Sequence, residues 1–130
     1  HIYTATSTNA HYLSDEQCRQ TIESGLHRLV VSLDGLTPET YRIYRVGGQL
    51  ERVVEGIQRL SEWKKRLRSS TPFIRLQFIV FRHNIHEISE LKKWAANLGA
   101  DDVQVKTAQV YDFAHDETWI PDEAEWSRYR

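Results

Sequence analysis

The chain has 130 residues, 40% of them hydrophobic and 27% charged, and a formal net charge of -1. That length suits one domain burying roughly two-thirds of its unfolded surface, and the near-neutral charge gives no electrostatic case for nucleic acid or an anionic membrane. No apolar run reaches membrane-span length, no signal-peptide pattern opens the chain, and a single cysteine, Cys18, excludes an internal disulfide and points to a reducing, cytoplasmic setting.

The first stretch is β-branched and aromatic up to Asn9, which predicts a strand over 2–8. Ser14-Asp15-Glu16-Gln17 fits a capping box, Cys18, Ile22 and Leu26 recur every four residues, and Gly25 closes that helix. A second strand is expected over 28–34, its apolar run suited to burial on both faces. Thr37-Pro38-Glu39 opens another helix, Gly47-Gly48 interrupts it, and a helical stripe resumes from Leu50 through Leu67. A third strand is expected over 73–81. Asn84-x-x-Glu87 then caps a helix that buries Ile85, Ile88, Leu91, Ala95 and Leu98 and ends at Gly99. A last strand covers 102–110, and the tail from 114 shows no clear period.

Strict alternation of strands and crossover helices predicts parallel strands in sequential order with helices on one face. The fold class expected is therefore α/β: about four parallel strands of a partial (β/α) TIM-like barrel, with a doubly wound open sheet as the alternative. The chain has no methionine and begins at His1, which suggests a piece of a longer protein.

Parallel strands covered on both faces should be almost wholly apolar. Here alternation puts Val30, Ser32 and Asp34 on one face of the second strand, Arg75 and Gln77 on one face of the third, and Gln104 and Lys106 on one face of the fourth. Ligands of parallel α/β folds bind at the carboxyl ends of the strands. A buried Arg75 or Lys106 asks for an anionic or polar complement, which a ligand would supply. The bland alternative is that one face is simply wet. Other signals carry less: Arg59, Lys64, Lys65, Arg66 and Arg68 around Trp63 read as a solvated helix face, His83 and His86 lack metal-ligand spacing, and Gly47-Gly48 alone is a weak phosphate signal.

The ordered set "TSTNAHYL", "VVSLDGLTPETYRIYRVGG", "IRLQFIVFRHNIHEI" and "LGADDVQVK" resembles the middle of radical S-adenosylmethionine enzymes, in particular the subgroup with a C-terminal SPASM extension. The resemblance implies residues 1–112 as the C-terminal half of a partial (β/α)6 barrel and 113–130 as a tail toward a further domain. It implies an iron–sulfur oxidoreductase that cleaves S-adenosylmethionine to a 5′-deoxyadenosyl radical, which takes a hydrogen atom from a peptide, protein or metabolite. Carried over, Ser32 would contact the ribose or methionine part and Arg45 the methionine carboxylate. Thr8, Asn9 and Asp34 would lie at the adjoining strand exits, with Gln77 and Lys106 facing cofactor or substrate.

The same resemblance exposes departures. The family holds a [4Fe-4S] cluster on three cysteines, where this chain has Cys18 alone, and Ala10 stands where the family has glycine. No metal ligand is therefore expected, and the chain alone is expected to be inactive and to bind neither cofactor. Its expected partners are a cluster-binding half and a C-terminal domain of the same protein, with self-association through open strand edges. The competing function is a non-catalytic α/β module that binds a nucleotide or partner. A third reading is half of another barrel enzyme.

Overall fold

The computed structural model describes residues 3–8, 10, 13–33, 35–37, 39, 41, 49–107 and 121–129. Four strands, β1 (Ala5–Thr8), β2 (Arg28–Ser32), β3 (Phe73–Val80) and β4 (Asp102–Thr107), form one sheet in the order β1-β2-β3-β4. Every neighbouring pair is parallel. The fold is thus the expected α/β arrangement of sequential parallel strands, although β1 and β2 are shorter than predicted and residues 108–110 lie outside the described set.

Helix α1 (Asp15–Glu23) follows β1, α2 (Leu50–Arg66) precedes β3, and α3 (Ile88–Leu98) lies between β3 and β4 behind a single 3₁₀ turn, Ile85–Glu87. Helix α1 begins as its sequence dictates, with the Ser14 hydroxyl accepting from the Gln17 amide at 3.2 Å. It ends before Gly25, whose φ of +80° only glycine adopts without strain, so Leu26 falls beyond the helix rather than on its face. Gly99 closes α3 in the left-handed conformation, φ +93°.

The core lies between the helices and one face of the sheet. Val31, Leu33, Ile74, Leu76, Phe78 and Val80 are all fully buried there, and Val53, Ile57 and Leu60 of α2 pack against them. Leu67, expected to continue the α2 stripe, instead caps the helix and is 40% exposed. Tyr41, from the segment after β2, is also fully buried. The rest of the predicted helix start at Thr37-Pro38-Glu39 and the glycine pair lie largely outside the described residues.

Gly56 lets α2 approach the β1 exit. In an exposed helix interior, alanine would gain about 1 kcal/mol over glycine. Here a Cβ would stand 2.7 Å from the Ala10 carbonyl oxygen and 3.2 Å from Leu13 Cβ. Backbone does not yield as a flexible side chain does, so Gly56→Ala should destabilise the fold by about 1–3 kcal/mol. Urea denaturation checks this, and a stabilised variant would show that the turn gives way.

The tail corrects its sequence reading: Glu123–Tyr129 forms a short helix, α4. Arg82 Nε, just past β3, donates to Glu125 Oε2 at 2.9 Å, and Trp126 packs half-buried against the core. Asp122 Oδ1 accepts from the Glu125 amide at 2.8 Å, which caps the helix start.

Candidate functional site

The opposite face of the sheet is polar. Register places Ser32 directly beside Gln77, and Gln77 beside Gln104, so one row crosses three strands. All three side chains are half-buried, and none makes a hydrogen bond to a described residue. One step toward the carboxyl end, Ile79 lies beside Lys106, which is exposed. The row therefore offers a hydroxyl at the end of β2 and two carboxamides within β3 and β4, with Lys106 one step further toward the carboxyl end.

One step toward the amino end, Arg75 lies beside Asp102. Its Nε and Nη2 donate to the two carboxylate oxygens, each at 2.8 Å. That fork is the planar match guanidinium and carboxylate favour, and it raises the Arg75 pKa, chiefly through the hydrogen bond to Asp102. Arg75 thus finds its anion within the sheet, which corrects the expectation that a ligand must supply one.

Thr8 does not join the row. It pairs with the fully buried Val31, so the pleat turns it toward the helix side, and its hydroxyl accepts from the Ala10 amide at 3.1 Å. Ala10 holds φ at +61° and is 1% exposed, so the turn keeps the left-handed conformation although alanine replaces the family's glycine. Thr6 and Thr8 instead line a helix-side cleft of about 530 Å³ with Leu13, Gln17 and Thr21. Asn9, Asp34 and Arg45 lie outside the described residues.

Two features go beyond the site residues expected from the sequence. Gln104 was visible as a polar strand residue, and its direct pairing with Gln77 makes it part of the row. Asn84, expected as a helix cap, makes no side-chain cap hydrogen bond. It closes the β3 exit instead: the Phe81 amide donates to Oδ1 at 2.8 Å, and Nδ2 donates to the Ile79 carbonyl at 3.0 Å.

On α2, Lys65 and Arg66 are exposed, as expected of a solvated face, while Arg59, Trp63 and Lys64 tie the helix to its neighbours. Arg59 donates to the Leu13 carbonyl at 2.7 Å, Trp63 to Asp15 at 2.9 Å, and Lys64 to Asp101 at 3.0 Å. His83 stacks on Phe81 at 5.4 Å between ring centroids, and His86 is exposed. Among the described residues no group of three or more His, Cys, Asp or Glu side chains is placed to hold a metal ion. No described helix is long and apolar enough to cross a membrane.

Cys18 does not fit an iron–sulfur cluster. It is fully buried on α1, its thiol faces the Leu13 carbonyl at 3.8 Å, and burial pushes its pKa from 9.0 up to about 11 against the opposing pull of Arg59. A cluster ligand needs the reverse, an accessible thiolate. Because the folded pKa lies above the unfolded one, the folded chain holds its proton longer, and Cys18's contribution to stability is lost as pH rises from about 9 through about 11. Native chain should resist thiol reagents that label it at once in urea; rapid native labelling at pH 8 would contradict this burial.

No family model matches the chain. It is 28% identical over 117 residues to a tungsten-containing aldehyde ferredoxin oxidoreductase cofactor-modifying protein of Pyrococcus furiosus, covering 85% of this chain and 33% of that protein. It is 32% identical over 78 residues to a probable GTP 3′,8-cyclase of Methanocaldococcus jannaschii, covering 60% of this chain and 24% of the relative. A GTP 3′,8-cyclase of Brucella abortus is 30% identical over 97 residues, 74% of this chain and 26% of the relative. In fold, the chain matches native anSMEcpe, solved with bound AdoMet and the Kp18Cys peptide, at a TM-score of 0.70 and 13% identity, over 98% of this chain and 34% of that one. The chain belongs with the radical S-adenosylmethionine enzymes. It spans about a quarter to a third of the length of the curated relatives it matches, and the likeness to anSMEcpe is one of fold: four parallel strands of a partial barrel.

Proposed function

We propose that the polar face at the carboxyl end of this radical S-adenosylmethionine barrel segment binds S-adenosylmethionine, within an iron–sulfur oxidoreductase that takes a hydrogen atom from a peptide, protein or metabolite. The observation that supports it most is the row Ser32–Gln77–Gln104: polar side chains with no hydrogen bond to a described residue share one face of β2, β3 and β4, while Leu29, Val31, Leu76 and Phe78 on the other face are buried in the core. Such groups gain nothing for the fold, and a nucleoside can satisfy both their donors and their acceptors. Ser32 takes the ribose or methionine part, Gln77 the neighbouring polar edge, and Lys106 an anionic group beyond it. Asn9, Asp34 and Arg45 complete the strand exits, with Arg45 on the methionine carboxylate. Thr8 contributes by shaping the turn at Ala10 rather than by reaching the ligand.

In this reading the cluster is held by cysteines outside residues 1–130, because Cys18 is unsuited to it. Residues 1–112 form the C-terminal half of the barrel, and 113–130 lead to a further domain of SPASM type. When bound, S-adenosylmethionine supplies the radical chemistry; the residues here bind and orient it and exclude water.

The test is the intact gene product, purified and reduced without oxygen and given S-adenosylmethionine. It should release 5′-deoxyadenosine, and Arg45→Ala should weaken binding by about 1.5–3 kcal/mol in calorimetry. Binding without cleavage in a cluster-loaded protein would favour a non-catalytic module. Unchanged affinity in the variant would remove Arg45 from the site.

A further inference from the structure

Three polar side chains are buried among the described residues: Ser61, Asn84 and Glu87. Two of them sit together at the β3 exit, beside the proposed site. Glu87 is only 4% exposed, and a buried carboxylate is costly unless it accepts strong hydrogen bonds. It makes no side-chain cap on α3. Its Oε2 accepts instead from the backbone amide of Leu36, at 3.1 Å and 51 residues away in sequence.

Leu36 lies just beyond β2, four residues past Ser32. The strand exit is pinned at its near end as well, where the Leu33 amide donates to the Gln77 carbonyl at 2.8 Å. Glu87 is itself fixed from below: its amide donates to the Asn84 carbonyl at 2.9 Å, and the Asn84 side chain is locked to Phe81 and Ile79. A continuous rigid path therefore runs from central strand β3, through Asn84 and Glu87, to the loop that leaves Ser32.

We propose that Glu87 is a positioning residue, which sets the β2 exit loop relative to β3 and so tunes how tightly the polar face binds its ligand. The part concerning the ligand rests on the function proposed above. Without its acceptor the Leu36 amide loses this partner, and the link between the β2 exit and the β3 exit through Glu87 is cut.

Amide hydrogen exchange on the chain, read at Leu36, tests the structural half without any ligand. Glu87→Gln keeps an acceptor oxygen at the same reach. Glu87→Asp keeps the charge but retracts it by one methylene. Leu36 exchange should quicken roughly ten- to a hundred-fold in the aspartate variant, while glutamine restores most of the protection and the central amides of Leu76 and Phe78 change less in both. In the intact gene product, S-adenosylmethionine should bind at least fivefold more weakly to the aspartate variant and within about twofold of normal to the glutamine variant. Unchanged Leu36 protection in the aspartate variant would overturn the proposal. So would an equal loss at every amide, or equal affinities in the two variants. An unmodified protein that fails to bind S-adenosylmethionine would contradict the proposed function instead, and the exchange pattern would still decide whether Glu87 holds the loop.

Discussion

Truncating Phe78 to alanine should cost about 3–5 kcal/mol of unfolding free energy, while Gln77→Ala, one residue earlier, should change it by about 0.5 kcal/mol or less. Phe78 is fully buried on central strand β3, flanked by Leu76 and Val80 on the helix-covered face. Removing its ring leaves a cavity that neighbours on two sides cannot fill, because the strands hold them in register. Gln77 points the other way, is half-buried and makes no hydrogen bond to a described residue. The pair separates what the strand does for the fold from what it offers a ligand. Urea unfolding at constant slope reads both changes; a comparable loss for the two variants would mean that the polar face is also part of the core.

The next largest effect is expected at Asn84. Its side chain, fully buried, satisfies the Phe81 amide and the Ile79 carbonyl at the β3 exit. Asn84→Ala removes both of these side-chain hydrogen bonds from a fully buried position, so a net loss of about 2–4 kcal/mol is expected. Asn84→Asp should not rescue it at neutral pH, since the carboxylate can accept from Phe81 but cannot donate to Ile79. Thermal or urea unfolding checks the order: wild type above aspartate and alanine, both well below. An aspartate variant as stable as the wild type would show that the Ile79 carbonyl has no need of this donor.

The strand sequence FIRLQFIV shows why the sheet was legible. Its period of two separates Ile74, Leu76, Phe78 and Val80 from Arg75 and Gln77, and both faces followed from that alone. The polar face was legible for the same reason. What was not legible depended on partners distant in sequence. Arg75 looked unpaired because Asp102 lies 27 residues on, on the next strand. Helix α4 looked aperiodic because seven residues carry little pattern, and its hold comes from Arg82, 43 residues earlier. Asn84 is a different case: it has the residue type and spacing of a helix cap, but the backbone of the turn at the β3 exit, three and five residues back, takes its side chain instead. Thr8 shows the cost of a one-residue question in a strand: its parity, set by pairing with Val31, sends it to the helix side.

S-adenosylmethionine is proposed to lie on the polar face of β2, β3 and β4. A crystal structure of the intact gene product, grown without oxygen in the presence of that ligand, tests it most directly. The nucleoside should lie over Ser32 and Gln77, with Gln104 and Lys106 along its border. Ligand seated in the helix-side cleft by Thr6, Thr8 and Gln17, or bound with Ser32 and Gln77 left facing solvent, would contradict it.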